Sequence, residues 1–181
     1  MSMQSLEVPP LSRKNLFDSA ALLRQRLRVT DDYLPIVQIL ELVLPKVIPH
    51  YFFDVRGSEE MGSNHGLTVP ADRAIYLRED VYERAVEGQG RDRFTAAHEL
   101  GHYLHHLDVP IKFHRSTTRL KPYVDSEWQA DTFAGALLMP PDRMRLCQSL
   151  AEVSERFGVS RSAAQKQNRV LNRIGIMEIL N

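Results

Sequence analysis

FTAAHELGHYLHH, residues 94–106, places His98, Glu99 and His102 within five positions of one run whose apolar residues fall at helical spacing. Residues four apart on a helix share a face, so His98 and His102 can both present a ring nitrogen to one cation. Glu99, about 100° further round, leans over the same site. Zinc takes about four tetrahedral ligands, and a hydrolytic site draws three of them from protein, so a third protein ligand is required. Leu100, Leu104 and Leu107 form an apolar stripe, and Gly101 leaves room for another backbone or a substrate. His105 and His106, at the end of the run, are expected to cap the helix C-terminus, where donor side chains meet free carbonyls. A short pattern of this kind also arises in helices that are merely rich in histidine, so a second element has to supply the missing carboxylate.

SEWQADTFAGALLMP, residues 126–140, is that element. Glu127 and Asp131 are four apart, and the small residues Ala130 and Ala134 on their face permit close approach to another helix. If this helix crosses the histidine-bearing one, Glu127 is the natural third ligand. Asp131 is then placed to accept the remaining ring proton of a ligand histidine, which fixes its orientation and strengthens its donation to the metal. The plainer alternative is a solvated acidic helix start, since carboxylates favour the first turn.

The rest of the chain supplies the frame. Its 181 residues, 43% of them hydrophobic, suffice for a core that folds without staples, and one cysteine, Cys147, excludes an internal disulfide framework. Twenty-three basic and 23 acidic residues balance, so no global field points to nucleic acid or an anionic membrane. MSMQSLEVPPLSRKNLF, residues 1–17, has no apolar run behind a basic start, and no secretory leader is expected. Residues 33–53 are apolar but cut by Pro35, Pro45 and Pro49, which argues against a membrane span. Cytoplasm is the expected location. The first ten residues are expected to form a loose arm, followed by an amphipathic helix from Asn15 to about Val29 and a second, IVQILELVL, closed by Pro45. VIPHYFFDV, LTV and AIYL are expected as strands of a small antiparallel sheet, and DVYERAVEG as a short helix ending at Gly88. Beyond Pro141 two or three more helices are expected.

RDRFTAAHELGHYLHH, then SEWQADTFAGALLMP, then FGVSRSAAQKQNRVLNRIG (residues 157–175) together resemble the ImmA/IrrE family of zinc metallo-endopeptidases, over roughly residues 47–175. The resemblance implies an α+β fold, with the small antiparallel sheet packed on a zincin-like pair of active-site helices and a helical C-terminal lobe. The chain is accordingly divided into N-terminal helices (1–45), a metallopeptidase core (46–141) and a helix-turn-helix-like lobe (142–181), read as one compact unit. The resemblance implies that His98, His102 and Glu127 hold zinc, with manganese or another divalent ion as competitors, and that Glu99 is the catalytic base. It also implies a protein substrate, a helix-turn-helix repressor of a mobile element, prophage, stress or toxin-antitoxin module.

An oxyanion-stabilising group is normally required beside such a base, and Tyr103, His65, His114 and Tyr123 are its candidates. GLTV and AIYL are the candidate edge for main-chain pairing with an extended peptide. The long basic loop 108–124 is a candidate lid. Arg161, Lys166, Arg169 and Arg173 mark the second helix of the C-terminal lobe as a candidate partner or nucleic-acid contact, with nucleic acid not favoured. Two further function classes stay open beside the endopeptidase: a repressor-binding or toxin-antitoxin module that keeps the metal as structure, and a DNA-binding regulator.

Overall fold

The structure is a computed structural model that describes residues 6–110 and 120–181. Helix α1 (Arg13–Arg26) begins at a reciprocal cap: Ser12 Oγ accepts from the Asn15 N–H at 3.1 Å, and Asn15 Oδ1 accepts from the Ser12 N–H at 3.1 Å. Helices α2 (Ile36–Gln38) and α3 (Leu44–Val47) are joined by a π turn, Ile39–Val43, in which the Leu44 N–H reaches back to the Ile39 carbonyl. Pro45 was expected to close this helix, yet it runs on to Val47. An α turn would press the proline ring onto the carbonyl four residues back, and the widened turn gives it room.

Strand β1 (Phe52–Arg56), the short helix α4 (Ser58–Met61), strand β2 (Gly66–Val69) and strand β3 (Ala74–Arg78) follow in order. The strands lie in the sheet as β1-β3-β2. β2 and β3 form a hairpin, Gly66 opposite Leu77 and Val69 opposite Ala74, closed by Arg73 in the left-handed conformation (φ 50°). β1 pairs parallel with β3, from Phe52–Ala74 to Arg56–Arg78. The α+β architecture is as expected, with the correction that the sheet is mixed where an antiparallel one was expected. The α4 turn reverses the chain after β1, and β3, whose Ala74, Ile75, Tyr76 and Leu77 are all buried, takes the centre between β1 and β2. A strand covered on both faces suits the centre better than an edge.

Helix α5 (Glu79–Val86) leads through Gly88, at φ 89°, into α6 (Gly90–His106). Helix α7 (Ser126–Leu138) starts at Asp125, whose Oδ1 accepts from the N–H groups of Glu127 and Trp128. Helices α8 (Pro141–Met144), α9 (Leu150–Phe157) and α10 (Arg161–Arg173) complete the chain, with Gly158 left-handed between the last two and Ser160 capping α10. α6 lies against α7, α1 covers another side of α7, and β2 and β3 pack on α6. Ala97, Leu100, Phe133, Ala134, Leu16 and Leu34, all fully buried, fill the space between them.

Two buried arginines fasten backbone carbonyls from distant segments. Arg24 donates to the Leu137 carbonyl at 3.0 Å and to that of Asp31. Arg93, 1% exposed, donates to the Leu34 carbonyl and the Gly158 carbonyl at 2.8 Å each and lies 3.7 Å above the Tyr33 ring. The loose N-terminal arm is a second correction for residues 6–11. They run beside the start of α7, with Val8 N–H donating to the Val124 carbonyl at 2.9 Å and Leu11 N–H to the Tyr123 carbonyl at 2.8 Å. No helix among the described residues is long and apolar enough to cross a membrane.

Arg93→Met keeps the apolar stem but strands two buried carbonyls, so it is expected to destabilise the protein by about 2–4 kcal/mol in denaturant unfolding. Lys14→Ala, which breaks an exposed ion pair with Asp18, is expected to leave the midpoint unchanged.

Candidate metal centre

His98 and His102 stand one turn apart on α6, and Glu127 comes from the first turn of α7. His98 Nε2 and His102 Nε2 are 3.0 Å apart, His98 Nε2 is 3.4 Å from Glu127 Oε2, and His102 Nε2 is 3.3 Å from Glu127 Oε1. Ligands about 2.0–2.1 Å from a tetrahedral ion are separated by about 3.3 Å, so three corners of such a tetrahedron fit these atoms. His98, His102 and Glu127 are a group that could hold a metal ion. The close approach of α6 and α7 that brings them together depends on Gly101: a Cβ there would lie 3.1 Å from Ala130 Cα and 3.2 Å from its carbonyl oxygen.

Each imidazole is held from behind. His98 Nδ1 is 3.0 Å from Asp131 Oδ1, and Lys166 Nζ of α10 donates to Asp131 Oδ2 at 2.7 Å. His102 Nδ1 is 2.9 Å from His106 Nδ1, and His106 Nε2 is 2.9 Å from Gln129 Oε1. The expected capping role of His105 and His106 is therefore corrected. His106 is 5% exposed and backs His102, while His105 packs edge-on against Phe133 and lies 3.4 Å from Ser19 Oγ. His106 follows His102 by four residues, so the same periodicity that paired His98 with His102 carried the signal for it. Gln129 carried none, because only the crossing of the two helices brings it to His106.

The carboxylates around the cluster favour positive charge there. Burial works against a charged His98, but Asp131 and Glu127 outweigh it and push the imidazole up to about 10. Burial likewise resists ionisation of Glu127 and Asp131. For Glu127 the imidazoles of His102 and His98 beside it prevail, and for Asp131 the hydrogen bonds to His98 and Lys166, so each is held down at about 2. Burial drives His106 the other way, to about 4, against the smaller effect of its Gln129 partner, and it stays neutral at pH 7.

Glu99, 3% exposed, lies near enough to His98, His102 and Glu127 to feel their charges. Thr68 Oγ1 of β2 donates to its Oε2 at 2.8 Å and to its backbone carbonyl at 2.9 Å. Burial raises its pKa, against the pull of His98 and His102. Gly66 admits this carboxylate, since a Cβ there would sit 2.6 Å from Glu99 Cγ. A largely apolar cleft opens beside the cluster, lined by Leu6 and Val8 of the arm, by Thr68 and Pro70, and by His102 and Glu127.

The remaining predicted residues are dispersed. Tyr103 is buried in the main core, edge-on to Tyr51. His65 is exposed, its Nδ1 3.2 Å from Arg78 Nη2, and directly precedes Gly66. Tyr123 is 44% exposed in the turn before α7. His114 lies outside the described residues, as do Lys112, Arg115 and Arg119 of the predicted lid. Of the basic residues on α10, Lys166 is engaged by Asp131, whereas Arg161, Arg169 and Arg173 are exposed.

Two imidazoles from one helix and a carboxylate from a crossing helix, with a buried glutamate alongside, define a chain of the metallopeptidase class. Residues 57–167 match the model of the Peptidase_M78 family, the IrrE N-terminal-like domain. The match covers more than half of the chain, which belongs to this family of peptidases. Among curated proteins none matches the chain significantly.

Gly101→Ala would set a methyl group against the Ala130 backbone and shift α7 relative to α6. It is expected to lower stability by about 1–3 kcal/mol and to weaken binding of a divalent cation, both checked by calorimetry with and without the ion.

Proposed function

We propose that the protein is a zinc-dependent endopeptidase that cuts a regulatory protein, with His98, His102 and Glu127 holding the ion and Glu99 as general base. The substrate class we propose is a helix-turn-helix repressor of a mobile element, prophage, stress or toxin-antitoxin module, as the ImmA/IrrE resemblance implies. Zinc is favoured because two imidazole nitrogens and one carboxylate oxygen suit it, while manganese competes for the same donors where it is abundant.

The observation that carries this reading is the environment of Glu99. A purely structural ion needs no carboxylate beside it, yet Glu99 is sequestered from water within reach of the cluster and restrained at one oxygen by Thr68. When bound, the cation supplies Lewis acidity, polarising the scissile carbonyl and acidifying a water. Glu99 takes the proton of that water and passes it to the leaving amine, and its raised pKa favours this two-way traffic. Asp131 and Lys166 hold the His98 ring in place. AIYL, paired on both sides as the central strand β3, is corrected as a candidate edge; the main chain of edge strand β2, GLTV, supports pairing with an extended peptide, and the cleft beside it suits an apolar side chain next to the cut.

Co-expression with a helix-turn-helix regulator encoded nearby, followed by mass measurement of fragments and metal analysis, tests the reading. Glu99→Gln is expected to slow cleavage by about 10²–10⁴-fold while the ion is retained, and Glu127→Ala to lose the ion as well. Equal relief of repression by native protein and Glu99→Gln would show that cutting is not the function.

A further inference from the structure

We propose that His106 and Gln129, anchored by the N-terminal arm, are positioning residues that fix the tautomer of His102 and thereby set the affinity of the cluster for its cation; this rests on the metal-binding role proposed above.

The direction of every hydrogen bond in this relay follows from its far end. Gln129 is fully buried, and its Nε2 lies 3.0 Å from the Pro9 carbonyl and 2.8 Å from the Tyr123 carbonyl. Both partners are acceptors only, so the amide nitrogen must face them and Oε1 must face His106. Oε1 cannot donate, so at 2.9 Å from it His106 Nε2 carries the proton. The ring nitrogens of His106 face only this amide oxygen and the His102 ring, with no carboxylate against either to hold a second proton, so its lone pair lies on Nδ1 and at 2.9 Å accepts the proton of His102 Nδ1. His102 is left with a free lone pair on Nε2, the atom that faces His98 Nε2 and Glu127 Oε1. The opposite tautomer would aim an N–H into the cluster and take away one donor.

The two imidazoles are thus oriented by different chemistry. Behind His98 stands a carboxylate that is one-third exposed and paired with Lys166. Behind His102 the partners are 5% and 0% exposed, and a carboxylate there would bring an uncompensated charge into the interior. A neutral imidazole and an amide do the same work without charge.

The relay ends on the arm. Leu6 N–H donates to Ser126 Oγ at 3.0 Å, Ser126 N–H donates to the Leu6 carbonyl at 3.1 Å, and the Val8 and Leu11 bonds continue the pairing on either side of Pro9. These bonds hold the Pro9 carbonyl against Gln129 and tie the arm to the residue preceding Glu127. The arm lies outside residues 57–167, so this chain supports its metal site with a segment beyond the family domain.

The test compares native protein with Gln129→Met, His106→Phe and a chain lacking residues 1–10. Zinc affinity is measured by competition with a chromophoric chelator, and the ring tautomer of His102 by ¹⁵N NMR of the metal-free protein. Native His102 is expected to be protonated at Nδ1. The variants are expected to show mixed tautomers and a zinc affinity about 10–100-fold lower. Native affinity and an unchanged His102 spectrum in folded variants would overturn the relay. If every variant fails to fold, the native spectrum decides, and a His102 protonated at Nε2 overturns it. A native chain that binds no divalent ion removes the metal-binding role itself, whereas native binding with unaffected variants removes the relay alone.

Discussion

Two imidazole nitrogens and a carboxylate oxygen 3.0–3.4 Å apart, with their lone pairs turned toward one another in a largely buried site, favour a cation among them. Much of the architecture can be traced to holding these atoms in place. α6 and α7 must touch, which requires glycine at 101 opposite Ala130. Glu127 must lie in the first turn of α7, where Asp125 caps the free N–H groups and settles where the helix begins. In the metal-binding role proposed, each ring would also show its lone pair to the cluster, which requires a fixed acceptor behind it.

Those acceptors recruit the outlying parts of the chain. Lys166 on α10 secures Asp131, and the arm at residues 6–11 secures Gln129. Arg93, on the same helix as the histidines, joins the loop before α2 to the turn between α9 and α10. The segments that flank the histidine helix therefore share polar contacts with it or with its supports. Burial of apolar surface supplies the bulk of the cohesion, but these directional bonds decide which geometry the cohesion stabilises.

The sequence disclosed the parts of this design that follow local periodicity. His98, Glu99 and His102 are legible because 3.6 residues per turn dictates their faces, and Glu127 with Asp131 because the same rule applies to a second helix. Features made through space were not legible. The parallel pairing of β1 with β3 depends on a strand inserted later in the chain, and the seating of the arm depends on bonds to Val124, Tyr123, Ser126 and Gln129, more than 110 residues away, that local periodicity does not announce. Arg93 has the composition of a solvated helix position and is nevertheless buried, because its partners are carbonyls from two distant segments. His106 lay between these cases: its spacing placed it on the right face, but its position near the helix end favoured a cap.

The contrast between the two supports also bears on how the site can be perturbed. Asp131 and Lys166 form an ion pair with considerable exposure, which salt screens and which movement of α10 would break. His106 and Gln129 are neutral and enclosed, so ionic strength has little purchase on them, and they respond instead to whatever displaces the arm. One imidazole is thus sensitive to charge at the C-terminal helix and the other to backbone pairing at the N-terminus. Because both would point inward to hold a single ion in the role proposed, a disturbance at either end of the chain would act on the same centre.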